Sequence, residues 1–151
     1  MKTPTLAKSP DFISFSEIPL VIANSTANST ANSVKTRPNL LVVCAGAAVG
    51  DVADQLRQLC AQPCLSCQLP GALHLPWPEM AGSLLLHDVA QLTIAQQIAL
   101  SDWIVQQRGG IQVVSVTQAP LPALVQDGLF LEGLFYRLNT VTVRATKGRG
   151  H

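Results

Sequence analysis

The chain has 151 residues, of which 48% are hydrophobic, 13% charged and 5% aromatic, and its 10 basic and 9 acidic side chains leave a formal net charge of +1. Such a length can bury one core without disulfides or a structural metal, but the charged fraction is well under the about 25% of an average soluble domain, so the chain is expected either to hide surface against a partner or to be only modestly soluble. The small net charge argues against direct DNA binding, which needs a basic footprint. The apolar runs are far shorter than the ~20 residues of a spanning helix, and the start does not read as a leader, so the expectation is a cytoplasmic protein without membrane attachment.

Residues 1–38 differ in character from the rest of the chain. DFISFSEIPLVI (11–22) reads either as a docking segment or as a strand fragment. ANSTANSTANS (23–33) repeats small polar residues that bury nothing, as expected of a flexible linker. From 39 to 145 apolar runs alternate with helical stretches as one α/β unit, and residues 146–151 form a short basic tail. NLLVVCA (39–45) is a buried strand, followed by the turn GAAVG and a helix over 51–60 with Val52, Leu56 and Leu59 on one face. A stretch rich in proline and cysteine, 61–78, precedes the strand SLLLH (83–87). The helix over 93–107 has Ile94, Ile98, Ala99, Trp103 and Ile104 at helical spacing and stops at Gly109 and Gly110. IQVVSVT (111–117) is a strand, short helices follow over 121–126 and 130–138, and TVTVRA (140–145) is the last strand. This alternation predicts a parallel sheet with helices on both faces.

The turn after the first strand is where such a fold binds phosphate. In AGAAVGDV (45–52), Gly50 can stand as the second glycine of a G-x-x-x-x-G-K-[ST] loop. Ala45 then replaces the first glycine, Gly46 follows it, Asp51 replaces the lysine, and Val52 replaces the hydroxyl that holds magnesium. A carboxylate for an ammonium changes the local charge by two units beside a triphosphate. A plain strand-to-helix turn is the competing reading. His87 and Asp88, at the end of the second long apolar strand, lie where α/β proteins carry out chemistry, with no serine or cysteine nucleophile spaced to join them. Cys60, Cys64 and Cys67 have a spacing that elsewhere holds an iron–sulfur cluster, or zinc if His74 adds a fourth ligand. The competing reading makes them, like Cys44, small apolar residues of a reduced core.

Longer segments carry a resemblance. VTQAPLPALVQDGLFLEGLFYRLNTVTV (116–143) parallels A-T-N-x-x-L…V-x-x-G-x-F-R-x-D-L-Y-Y-R-L-N-V…I. GSLLLHDVAQLTIAQQIALSDWI (82–104) parallels G-T-L-F-L-D-E-V-x-x-L-x-x-x-x-Q-x-x-L-L-x-x-L, and PCLSCQLP (63–70) faintly parallels P-F-x-x-x-N-C-A-A-L-P. Over about 39–144 the chain resembles the AAA+ central domain of bacterial sigma-54-dependent activators of the NtrC type, in degenerate and shortened form. The resemblance implies a P-loop NTPase-like, three-layer α/β fold without the lid subdomain. It also implies that His87 and Asp88 stand at the Walker B Asp and Glu, Gln118 at the sensor asparagine, and Leu131 and Arg137 at the two arginines that reach a neighbour's γ-phosphate. The family's sigma-54-contacting G-A-F-T-G-A loop has no room in 68–80, and a second insertion is reduced to 107–110.

The expectation is therefore a non-catalytic regulatory module, a pseudo-ATPase without cofactor. It would act in transcription regulation by contact with an AAA+ activator subunit, the sigma-54 machinery or itself. Two alternatives stay open: a small sigma-54-interacting regulator that still binds ATP, and a metal-binding module built on the cysteines.

Overall fold

The computed structural model describes residues 12–14, 38–45, 49–107 and 110–146. The repeat at 23–33, Gly46 and residues 147–151 of the basic tail lie outside the described residues. Six strands form one sheet in the order β1-β6-β2-β5-β4-β3, and every adjacent pair is parallel. The strands are β1 (Phe12–Ser14), β2 (Leu40–Ala45), β3 (Cys64–Gln68), β4 (Ser83–His87), β5 (Gln112–Thr117) and β6 (Val141–Thr146). The helices are α1 (Val49–Leu59), α2 (Ile94–Gln106), α3 (Leu121–Gln126) and α4 (Glu132–Leu138), with a 3₁₀ turn at Val89–Gln91. The predicted parallel α/β sheet is therefore present. Within the segment 11–22, Phe12–Ser14 form β1, which pairs with β6 at the edge of the sheet, and the rest of that segment lies outside the described residues.

The direction of each connection decides which face each helix covers. Right-handed crossovers send the β2-to-β3 connection to one face and the connections that run the opposite way across the sheet to the other. Accordingly α1 buries Val52, Ala53 and Leu56 against Leu40, Val42, Leu85, Val114 and Val143. On the other face Leu100 and Trp103 of α2, Leu121 of α3, and Leu134 and Leu138 of α4 pack with Leu41, Leu84, Leu86 and Val113. Strands β4 and β5 are buried at every position, as expected of central parallel strands covered on both sides.

Helix α2 turns only part of the predicted set toward the core: Trp103 is buried and Ile104 packs beside it. Thr93 caps the helix in a reciprocal box with Gln96, the Thr93 side chain accepting from the Gln96 N–H at 3.1 Å and the Gln96 side chain accepting from the Thr93 N–H at 3.0 Å. Ile94 and Ile98, expected in the core, are 43% and 50% exposed, while Gln97 is buried beside Leu100 and Trp103. The reason is a backbone demand from residues 129–131. Gln97 Nε2 donates to the Leu92 and Leu129 carbonyls at 3.2 and 3.1 Å, and its Oε1 accepts from the Leu131 N–H at 2.8 Å. A buried loop with no partner for these groups would cost more than two exposed isoleucines.

At the amino ends of the strands, Asn39 joins several elements. Its Oδ1 accepts from the Val113 N–H at 3.0 Å, its Nδ2 donates to the Arg137 carbonyl at 2.9 Å, and its own carbonyl accepts from the Val141 N–H at 3.0 Å. The connection 69–82, between β3 and β4, is held to α2 by Trp103 Nε1 donating to the Pro76 carbonyl at 2.7 Å and Gln96 Nε2 donating to the Gly71 carbonyl at 2.7 Å. It ends at Gly82, whose φ of 118° and close approach to the Pro63 backbone leave no space for a side chain.

Candidate functional site

In an open parallel sheet, ligands bind beyond the carboxyl ends of the strands, where neighbouring strands send their connections to opposite faces. Here those strands are β2 and β5: α1 follows β2 on one face, and α3 and α4 follow β5 on the other. The candidate site is the rim made by Cys44 and Ala45 of β2, His87 and Asp88 at the end of β4, Thr117 and Gln118 at the end of β5, and the start of α1.

On this rim Ala45 is the last residue of β2, Gly50 and Asp51 lie exposed in the first turn of α1, and Val52 is buried beneath them. His87 lies opposite Val116 of β5 in the register. Its ring is 6% exposed, and Nδ1 has no hydrogen-bond partner. Burial holds its pKa below the usual histidine value, the Arg57 charge lowers it further, and Asp54 opposes the shift, so the neutral imidazole is favoured. Asp88 has the left-handed backbone, φ 64° and ψ 59°, and starts the 3₁₀ turn, its carbonyl accepting from the Gln91 N–H at 2.9 Å. Burial raises the pKa of its carboxyl above the ordinary aspartate value. The same burial, with Asp88 adding a smaller effect, pushes the Cys44 thiol up to about 11, so Cys44 is an unreactive core thiol. Thr117 Oγ1 accepts from the Ala119 N–H at 2.9 Å and closes the turn out of β5, and Gln118 beyond it is exposed.

Arg137 is exposed in the last turn of α4, on the opposite face of the sheet from α1. The cysteine triad does not assemble. Cys64 and Cys67 are three residues apart on β3, so strand alternation sends them to opposite faces. Cys60 and Cys64 pack with the α1 side, and Cys67 packs with the α2 side. Cys67 Sγ accepts from the His74 N–H at 3.3 Å and donates to the His74 carbonyl at 3.5 Å, contacts to backbone rather than to the ring. Among the described residues no group of three or more His, Cys, Asp or Glu side chains is arranged to hold a metal ion.

Sequence patterning did not reveal a cleft of about 730 Å³ on the face opposite α1, lined by Leu41, Val43, Thr142 and Arg144 of the sheet and by Pro120 and Phe135. The alternation of Thr140, just before β6, with Thr142 and Arg144 along it was the available signal. Among the described residues no helix is long and apolar enough to cross a membrane.

The strand order, the all-parallel sheet and the rim at the carboxyl ends define an α/β fold of the P-loop NTPase, AAA+ type. Residues 73–147 match the family described as Sigma-54 interaction domain. NtrX from Brucella abortus, in its complex with ATP, is similar with a TM-score of 0.56 at 18% identity, over 83% of this chain and 35% of NtrX. Its ADP complex gives 0.56 at 19%, over 83% of this chain and 36% of that one. The P-loop NTPase domain of the Sigma-54 transport activator from E. coli gives 0.51 at 17% identity, over 83% of this chain and 97% of that domain. The chain thus spans about a third of NtrX, at 35% of its length. No curated protein matches the sequence significantly.

Proposed function

We propose that the chain is a non-catalytic module of the sigma-54 activator type, acting in transcription regulation by protein contact with an activator ATPase subunit or the sigma-54 machinery. The observation that carries this reading is His87. Where magnesium handling calls for a carboxylate, the end of β4 bears a buried imidazole that favours its neutral form and leaves Nδ1 unpartnered. The next residue, Asp88, is held in a left-handed turn with its ionised form disfavoured. Asp51 adds to the misfit. A carboxylate in the first turn of α1 already complements the positive end of that helix, the same field a phosphate would use. Such residues do not fit a magnesium-bound triphosphate, and no step of a hydrolytic reaction is assigned to them.

A thermal-shift titration of the full chain with magnesium ATP tests the reading. No change in melting temperature at millimolar nucleotide is expected, and a saturable stabilisation of several degrees would overturn the loss of nucleotide binding. Capture of purified sigma-54 or of an intact activator ATPase by the immobilised chain tests the contact. A second reading, a regulator that retains ATP, draws on NtrX having been crystallised with ATP and ADP, and the same titration separates the two.

A further inference from the structure

The chain has four cysteines, none of them in a disulfide, and the fold treats them differently. Cys44 and Cys67 are buried in opposite cores, Cys44 with its thiol raised and Cys67 engaged by the His74 backbone. Cys60 and Cys64 are neighbours. Cys60 follows the last turn of α1, its N–H donating to the Leu56 carbonyl at 3.0 Å, and Cys64 opens β3, which forms the end of the sheet on that side. The segment between them is fixed to the start of β4: Ser83 Oγ donates to the Ala61 carbonyl at 2.9 Å, and the Ser83 N–H donates to the Pro63 carbonyl at 3.0 Å. The Cys60 thiol hydrogen-bonds the Cys64 sulfur, and the Arg57 charge, one helical turn before Cys60, acts on that sulfur as well.

We propose that Cys60 and Cys64 form a thiol-modification site that reacts with low-molecular-weight disulfides such as oxidised glutathione and closes as an intramolecular disulfide. The two positions divide the work. Cys64 is partly exposed and can be reached by a reagent, whereas Cys60 is 5% exposed and can be reached from within the chain. The hydrogen bond from Cys60 is the largest influence on Cys64, outweighing the opposing effect of burial, and Arg57 assists; together they bring the Cys64 thiol down to about 7. A thiol with a pKa near ambient pH combines thiolate population with nucleophilicity most effectively.

The Cys64 thiolate attacks one sulfur of the small disulfide, a new sulfur–sulfur bond forms, the reagent's own bond breaks, and one thiolate leaves and takes a proton. Cys60 then gives its proton to solvent, and its sulfur attacks Cys64 Sγ, expelling the second small thiolate. Two cysteine thiols are oxidised by two electrons, and one disulfide is reduced to two thiols. Closure links the end of α1 to the outermost strand on its side without involving the rim residues, so this site is independent of the proposed contact with the sigma-54 machinery.

The test uses the full reduced chain at pH 7 with oxidised glutathione, followed by alkylation after unfolding and tandem mass spectrometry. A Cys60–Cys64 link with Cys44 and Cys67 still alkylated is expected. A glutathionyl group that stays on Cys64, equal oxidation of all four cysteines, or no reaction would each overturn the proposal. The rate of iodoacetamide labelling at Cys64 should have its midpoint near pH 7, and in Cys60→Ala, which removes the donor, the midpoint should move up toward the ordinary 9.0 while one glutathionyl group becomes trapped on Cys64. An unmoved midpoint in that variant would also overturn it. Cys44→Ser and Cys67→Ser serve as controls and should close as the parent does.

Discussion

Gln97 has more structural consequence than any other polar side chain of α2. With 1% of its surface exposed it joins Leu92, Leu129 and Leu131 through one amide group. Gln97→Leu keeps the volume near constant but leaves a buried N–H and two carbonyls short of partners, so urea denaturation should register a loss of about 2–3 kcal/mol. His87 has the opposite character, a buried group with an unmet need. Because burial lowers its pKa in the folded state, the unfolded chain takes up the proton first as pH falls. Its contribution is present above the unfolded value of 6.5 and is lost as pH drops from there toward the lower folded value. The fall in urea midpoint between pH 7.5 and 5.5 should therefore be smaller in His87→Gln than in the parent. Asp88, raised above its ordinary 3.8, works in the opposite sense, favouring the native state as it becomes protonated.

Among the elements, the connection 69–82 stands where the resemblance would place the family's sigma-54-contacting loop. Trp103 and Gln96 hold it against α2 by its backbone, and at Trp77 it presents an indole that is 76% exposed. An exposed tryptophan on an anchored loop has the character of an interface anchor. Trp77→Ala should leave the unfolding free energy within about 0.5 kcal/mol of the parent while weakening capture of the sigma-54 partner at least ten-fold; unchanged capture would remove the loop from the interface. The helices and four of the strands between 39 and 145 were legible because run length and punctuation mark them: SLLLH is β4 in full, and the helix over 93–107 is α2 but for its ends, whereas β3 went unread within the stretch rich in proline and cysteine. Only part of the face of α2 was legible, because hydrophobic spacing cannot weigh the needs of a distant loop that are met by Gln97. The three cysteines misled for a related reason. Their spacing suggests a cluster, but strand alternation divides Cys64 from Cys67, and the pairing of Cys60 with Cys64 depends on where α1 ends.

Across the whole molecule, the four long apolar strands could be read from sequence, whereas β3 was not read and β1 was only one of two readings, with no sign of its partner. β1 is three residues long and pairs with β6, from which it is separated by most of the chain, so local pattern contains nothing of that partnership. The rim at the carboxyl ends was legible as a location. The protonation state favoured at His87 was not, since it follows from burial contributed by several elements at once. The opposite end of the sheet has a different lesson in Asn39, which ties β2, β5, β6 and α4 together at the amino ends of these strands. That end behaves as a clasp, so spontaneous opening of the domain should start at the carboxyl rim and reach the clasp last. Amide hydrogen exchange should find Val113 and Val141 among the slowest sites and exchanging together, and Asn39→Ala should accelerate both while leaving the amides of α1 nearly unchanged. A module braced in this way would keep one end of its sheet invariant while the other is free to yield, so that compliance becomes a property of the rim.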